Sequence, residues 1–154
     1  MLVVPPVVSV NTHEPTLKFV AKPPAVRSTP LRATDKKTRG ATAIIYCEAN
    51  FGEIDGKTAN GLIRRSEKYK ILSVIDSEKA GLDTGMILDN KPNAIPICRD
   101  LADALSQAGS VPDFFIFGMA PSSGMLSKHE RGLVLEAMSH GMNIVNGLHE
   151  FLND

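Results

Sequence analysis

From residue 41 onward the chain carries five short, near-continuous apolar runs, at 43–47, 71–75, 94–97, 114–117 and 142–145. None shows strict alternation of apolar and polar residues, so none has a wet face. Continuous runs of this length are what strands buried on both sides of a parallel sheet require. The segments between them are amphipathic. Residues 57–68, 99–109 led by Asp100, and 127–140 all suit helices, and in the last of these Ser127 with Glu130 three positions on forms a capping box. Gly109 and Gly141 stand where C-terminal caps belong. Strand, helix and strand repeated in this way predict an α/β fold: a Rossmann-like three-layer domain with a parallel sheet of about five strands.

Length and charge limit the rest. The 154 residues suffice for one ordinary domain, and 43% hydrophobic with 22% charged is usage typical of a packed fold, not of a disordered chain or a coiled coil. Formal net charge is zero, which gives no whole-chain field for nucleic acid or anionic lipid. That zero combines unequal parts. Residues 1–40 hold seven Lys and Arg against Glu14 and Asp35, a net of +5, which leaves −5 for residues 41–154. Six of the ten prolines also fall in the first thirty residues, so no regular ladder or helix runs through them. The expected organisation is a basic, Pro-rich extended arm over 1–40 and a Rossmann-like domain over 41–154. Pieces of the arm such as 7–10 or 17–20 could add a strand to a neighbour's sheet and make an oligomer; the simpler alternative is a mobile tail.

Cys47 and Cys98 sit in apolar runs, not in a Cys/His cluster, which argues against a disulfide framework or a zinc site and for a reducing cytoplasm. The apolar stretches are too short to span a bilayer, and no secretory signal opens the chain. No nucleic-acid or membrane partner is expected.

In an open parallel sheet, ligands bind beyond the carboxyl ends of the strands, so the loops there carry the candidate site. After the first run, Gly56-Lys57-Thr58 opens a helix and suggests an anion contact at its N-terminus. A phosphate loop would need Gly where Phe51 stands, and Glu53 and Asp55 would repel phosphate. Asp76 follows the second run, in the place of a ribose-binding acid, and an N-cap is the alternative. The fourth run opens into Gly118-Met119-Ala120-Pro121-Ser122-Ser123-Gly124, where Gly118, Ser122, Ser123 and Gly124 could admit a ligand close to backbone donors. The hydroxyls could equally bond local backbone. The last run leads into Asn146, Gly147 and His149, the place where a His could serve as acid or base. No Ser or Cys nucleophile with a recognisable base is visible.

The stretches 56–64, 74–76 with Ala80-Gly81, 95–97, 118–121 with Gly124, and the closing Gly141-Met142-Asn143-Ile144-Val145-Asn146-Gly147-Leu148-His149 together resemble one family. They are similar to the amino-terminal Rossmann-like domain of the D-glutamate N-acetyltransferase-type proteins. The resemblance covers roughly 41–154 and has no counterpart for residues 1–40. It implies a larger carboxyl-terminal domain with a P-loop-like fold, through which acetyl-CoA or a nucleotide would bind. Where the family often has a Gly pair, this chain has Ser123 before Gly124. No catalytic residue carries over. The expected function is therefore an accessory domain of an amino-acid N-acetyltransferase-type protein. It would bind a small anionic substrate or cofactor, pack on a P-loop-like domain, and self-associate as a homo-oligomer. The competing reading is a stand-alone regulatory module for a nucleotide or CoA. A small dehydrogenase is disfavoured by the missing G-x-G-x-x-G.

Overall fold

The computed structural model describes residues 40–148. Of the arm expected over residues 1–40, all but Gly40 lies outside these, as does His149. Strands β1 (Ala41–Tyr46), β2 (Tyr69–Ile75), β3 (Ile97–Cys98), β4 (Phe114–Phe117) and β5 (Asn143–Val145) form one sheet in the order β3-β2-β1-β4-β5. Every pairing is parallel. This is the strand order of a doubly wound Rossmann sheet, as the alternating pattern predicted.

Four helices connect the strands: α1 (Lys57–Arg64), α2 (Thr84–Asp89), α3 (Leu101–Ala108) and α4 (Lys128–Ser139). Successive strand residues point to opposite faces, and the two cores divide accordingly. Ile44, Tyr46, Phe115 and Phe117 pack with Leu101 and Ala104 of α3 and Val134 and Ala137 of α4. Ala43, Ile45, Val74 and Ile116 pack with Ala59 of α1, and with Ile87 and Leu88 of α2. The sheet is thus covered on both sides, which is why its strands read as near-continuous apolar runs.

Three details depart from the sequence pattern. The third strand is confined to Ile97–Cys98, because Ala94 adopts a left-handed φ of 62° and Pro96 makes an antiparallel bridge to Asp83. The first helix ends at Arg64 instead of 68, where the guanidinium turns to the carbonyl of Leu88 and the carboxylate of Asp89. Residues 80–85, which no apolar period marks as helical, lead into α2. Asp83 caps it by accepting from the Gly85 and Met86 N–H groups. Its carboxylate also takes the N–H groups of Asn93 and Ala94, so one side chain closes the whole loop. Asp100 and the Ser127–Glu130 capping box begin α3 and α4 as the pattern required.

Candidate functional site

The chain leaves β1 toward one side of the sheet and returns to β4 on the other, so the crevice lies beyond the carboxyl ends of these two strands. Gly118 fixes its geometry. The Gly118 N–H donates to the Tyr46 carbonyl at 2.8 Å, and the Gly118 carbonyl accepts from the Ala59 N–H at 3.0 Å. A Cβ on Gly118 would stand 2.5 Å from Ile45 Cγ2 and 3.0 Å from Ala59 Cβ. Only glycine lets β1, β4 and the first turn of α1 meet this closely.

Gly56 is the N-cap of α1, and a Cβ there would lie 2.0 Å from the Asn50 carbonyl oxygen. The loop between β1 and α1 is tied down from within: Asn60 accepts from the Gly52 N–H and donates its amide to the Glu53 carbonyl. Lys57 and Thr58 are exposed at the start of α1. The Lys57 N–H meets the Ile54 carbonyl and the Ala59 N–H meets Gly118, so this first turn is already engaged with protein. It does not fit a nucleotide pyrophosphate held by free helix N–H groups.

Asp76 is fully buried. One carboxylate oxygen accepts from the Phe51 N–H at 3.2 Å; the other accepts from the Glu78 N–H at 3.1 Å and caps the 3₁₀ turn Ser77–Lys79. Lys79 Nζ lies 3.4 Å away. The N-cap alternative describes its environment. In the loop after β4, Ser123 exchanges hydrogen bonds with the Met125 backbone, Gly124 turns at φ 67°, and Ser122 is exposed.

The structure brings several of these residues together around one hollow of about 330 Å³. Thr58, Met119, Ala120, Asn146 and Gly147 meet there over an apolar floor that includes Ile116 and Val145. The Asn146 side-chain oxygen accepts from the Leu148 N–H and so shapes the exit from β5. Lys57, Asp76, Ser122, Ser123 and Gly124 do not line it. Cys47 lies beneath the loop, and burial followed by the Asp76 charge pushes its thiol up to about 12, so it is a protonated core side chain at neutral pH. Among the described residues no group of three or more His, Cys, Asp and Glu is placed to hold a metal ion, and no helix is long and apolar enough to cross a membrane.

A second cavity, of about 220 Å³, opens on the opposite side of the sheet, between α3 and α4. Tyr46, Glu48, Arg99, His129 and Glu136 surround it. None of these was a candidate from the sequence. They come from β1, its loop, the residues before α3, and one face of α4, where His129, Leu133 and Glu136 follow helical spacing. That spacing is the one signal that could have suggested them.

Residues 77–154 match the family described as a domain of unknown function, DUF1611_N, Rossmann-like domain. The chain belongs to this family. Among solved structures, the DUF1611_N chain is similar to a DUF1611 family protein from Anabaena variabilis ATCC 29413, with 28% sequence identity and a TM-score of 0.65. The likeness covers 75% of this chain and 32% of that one, so the chain spans about a third of the length of this relative. No curated protein matches it.

Proposed function

We propose that this DUF1611_N domain is an accessory part of an amino-acid N-acetyltransferase-type protein. It holds a small anionic group of substrate or cofactor at the carboxyl edge of its sheet and packs on a P-loop-like domain. The observation that carries this reading is the convergence of Thr58, Ala120, Asn146 and Gly147 on one hollow at the crevice of the sheet. A hydroxyl, an amide and small residues over an apolar floor suit orientation of a ligand. They supply no acid and base pair, so chemistry belongs to the packed domain, which also takes acetyl-CoA or a nucleotide. The resemblance of the 141–149 segment to the acetyltransferase-type proteins supports the same assignment. Self-association in the cytoplasm, without nucleic acid or membrane, completes the reading.

Thermal-shift titration of the full chain against acetyl-CoA, ATP, NAD and acidic amino acids tests it, because a ligand of the native state raises the melting temperature by linkage. Acetyl-CoA or an acidic amino acid raises it, and Thr58→Val reduces that rise while leaving the unliganded midpoint within about 0.5 kcal/mol of the parent, as for a surface change. A response to NAD alone overturns the acetyltransferase assignment. No response to any of them identifies a pure interaction module.

A further inference from the structure

The cavity between α3 and α4 has a chemical character of its own. Its floor is the ring of Tyr46 with Ile75 and Leu101, each no more than 3% exposed. Among the described residues, the Tyr46 hydroxyl has no hydrogen-bond partner. Among the described residues, the one buried side-chain polar atom that lacks a partner is Ser73 Oγ. The Tyr46 hydroxyl therefore keeps contact with open space, and the space Tyr46 lines is this cavity. A phenol held in an apolar wall with an open hydroxyl is a directional hydrogen-bonding point for a guest.

The charges around it are mostly negative. Glu48, Asp100 and Glu136 line the cavity against Arg99 and His129. Glu48 accepts from the Ser77 N–H and hydroxyl, and Asp100 from the Asp103 N–H; these donors are neutral and leave both charges uncancelled. No ion pair joins any of the three carboxylates to a cation among the described residues. Arg99 stands close enough to Asp103 to help hold that carboxyl below its ordinary value, after the larger effects of Gln107 and the Arg99 N–H. At the phenol itself, burial first, then the charges of Glu130 and Glu48, raise the tyrosine above its ordinary range.

We propose that this cavity binds a small organic cation, a protonated primary amine on a compact apolar body. The ammonium donates to Tyr46 Oη near the Glu48 carboxylate, and Glu136 stands at the rim. At about 220 Å³ the space is smaller than the roughly 300 Å³ at which drug-sized sites begin, so the guest is small. Tyr46 belongs to the central strand, and its ring packs on Phe115 and Phe117 at 6.3 and 5.4 Å, so the hydroxyl is held in place before binding. This site is separate from the hollow at Thr58 and does not rest on the function proposed for it.

Calorimetric titration of the full chain with benzylammonium, benzyl alcohol and benzoate, three probes of one shape and different charge, tests the assignment. Benzylammonium binds, and its addition moves backbone amide resonances of Ala102 and His129 but not those of Ala120 and Gly147. Tyr46→Phe keeps the packed ring and weakens binding about tenfold, the scale of a lost hydrogen bond to a charged group. Glu136→Gln, on an exposed face, weakens it about threefold. Benzoate binding as tightly as benzylammonium overturns the proposal. So does benzylammonium binding that neither substitution changes, or its failure to bind at millimolar concentration. Should Tyr46→Phe not fold, Glu136→Gln and the resonance map decide.

Discussion

Thr42 and Asp113 lock the entry ends of β1 and β4 together by a reciprocal set of hydrogen bonds. One Asp113 carboxylate oxygen accepts from both the Thr42 N–H and the Thr42 hydroxyl at 3.0 Å, and the Asp113 N–H donates back to that hydroxyl at 3.0 Å. Thr42→Val keeps the β-branched shape suited to a strand but removes the hydroxyl as donor and acceptor together. A loss of about 1–2 kcal/mol is expected. Urea unfolding reads it as a lower midpoint with an unchanged slope.

Asp83 makes stability depend on pH in a defined direction. Burial pushes its carboxyl up, but the backbone N–H groups of Asn93, Met86, Ala94 and Gly85 outweigh this and hold it below its ordinary value of 3.8. A carboxyl lowered by folding stabilises above its unfolded pKa, and that contribution disappears as pH falls through the lower folded value. Asp83→Asn therefore melts below the parent at pH 7, and the gap narrows as the pH drops under 3.8. A constant gap down to acid pH would show that the carboxylate charge is irrelevant to the loop.

Two glycines should respond in opposite ways to the same change. Gly118→Ala drives a methyl into Ile45 and Ala59 at the crevice, and overpacking of this kind costs about 1–3 kcal/mol. Gly132→Ala, inside α4 with nothing near its Cβ, gains about 0.5–1 kcal/mol of helix stability. Thermal melts of the two variants and the parent, run side by side, decide the order.

Both thiols are predicted to be inert in the native protein. Cys47 and Cys98 are fully buried, and burial raises each thiol above its ordinary value. Thiol labelling at pH 8 should find no reactive group in the folded chain and both in denaturant. Rapid native labelling of either would refute the packing described for the ends of β1 and β3.

What the sequence made legible is what short-range physics controls. The Phe114–Phe117 strand, the Asp100 cap and the Ser127–Glu130 capping box were all readable because each rests on neighbouring residues or on burial of a run. The α2 helix was not, since its six residues show no usable period and its cap, Asp83, is fixed by loop groups at Asn93 and Ala94. Helix α1 stops short because Arg65 is already extended, at φ −151° and ψ 85°, on the way into β2, a change of backbone that the side-chain pattern of 57–68 does not mark. The hollow beside Thr58 was partly visible, because loops after strands are known ligand positions. The Tyr46 cavity was invisible: its walls come from β1 and α4, and a tyrosine within an apolar run reads only as core.

The sheet's central strand is also the first made of the described strands. β1 meets β2 soon after synthesis, but its other edge waits for β4, whose Asp113 follows Thr42 by 71 residues. Until Phe117 has left the ribosome, a growing chain carries one open backbone edge along Ala43–Tyr46, a template for pairing with any other extended peptide. The domain's most exposed moment is thus late in translation, and a stalled or truncated chain ending before β4 should be held by chaperones or lost to aggregation while the finished one is not.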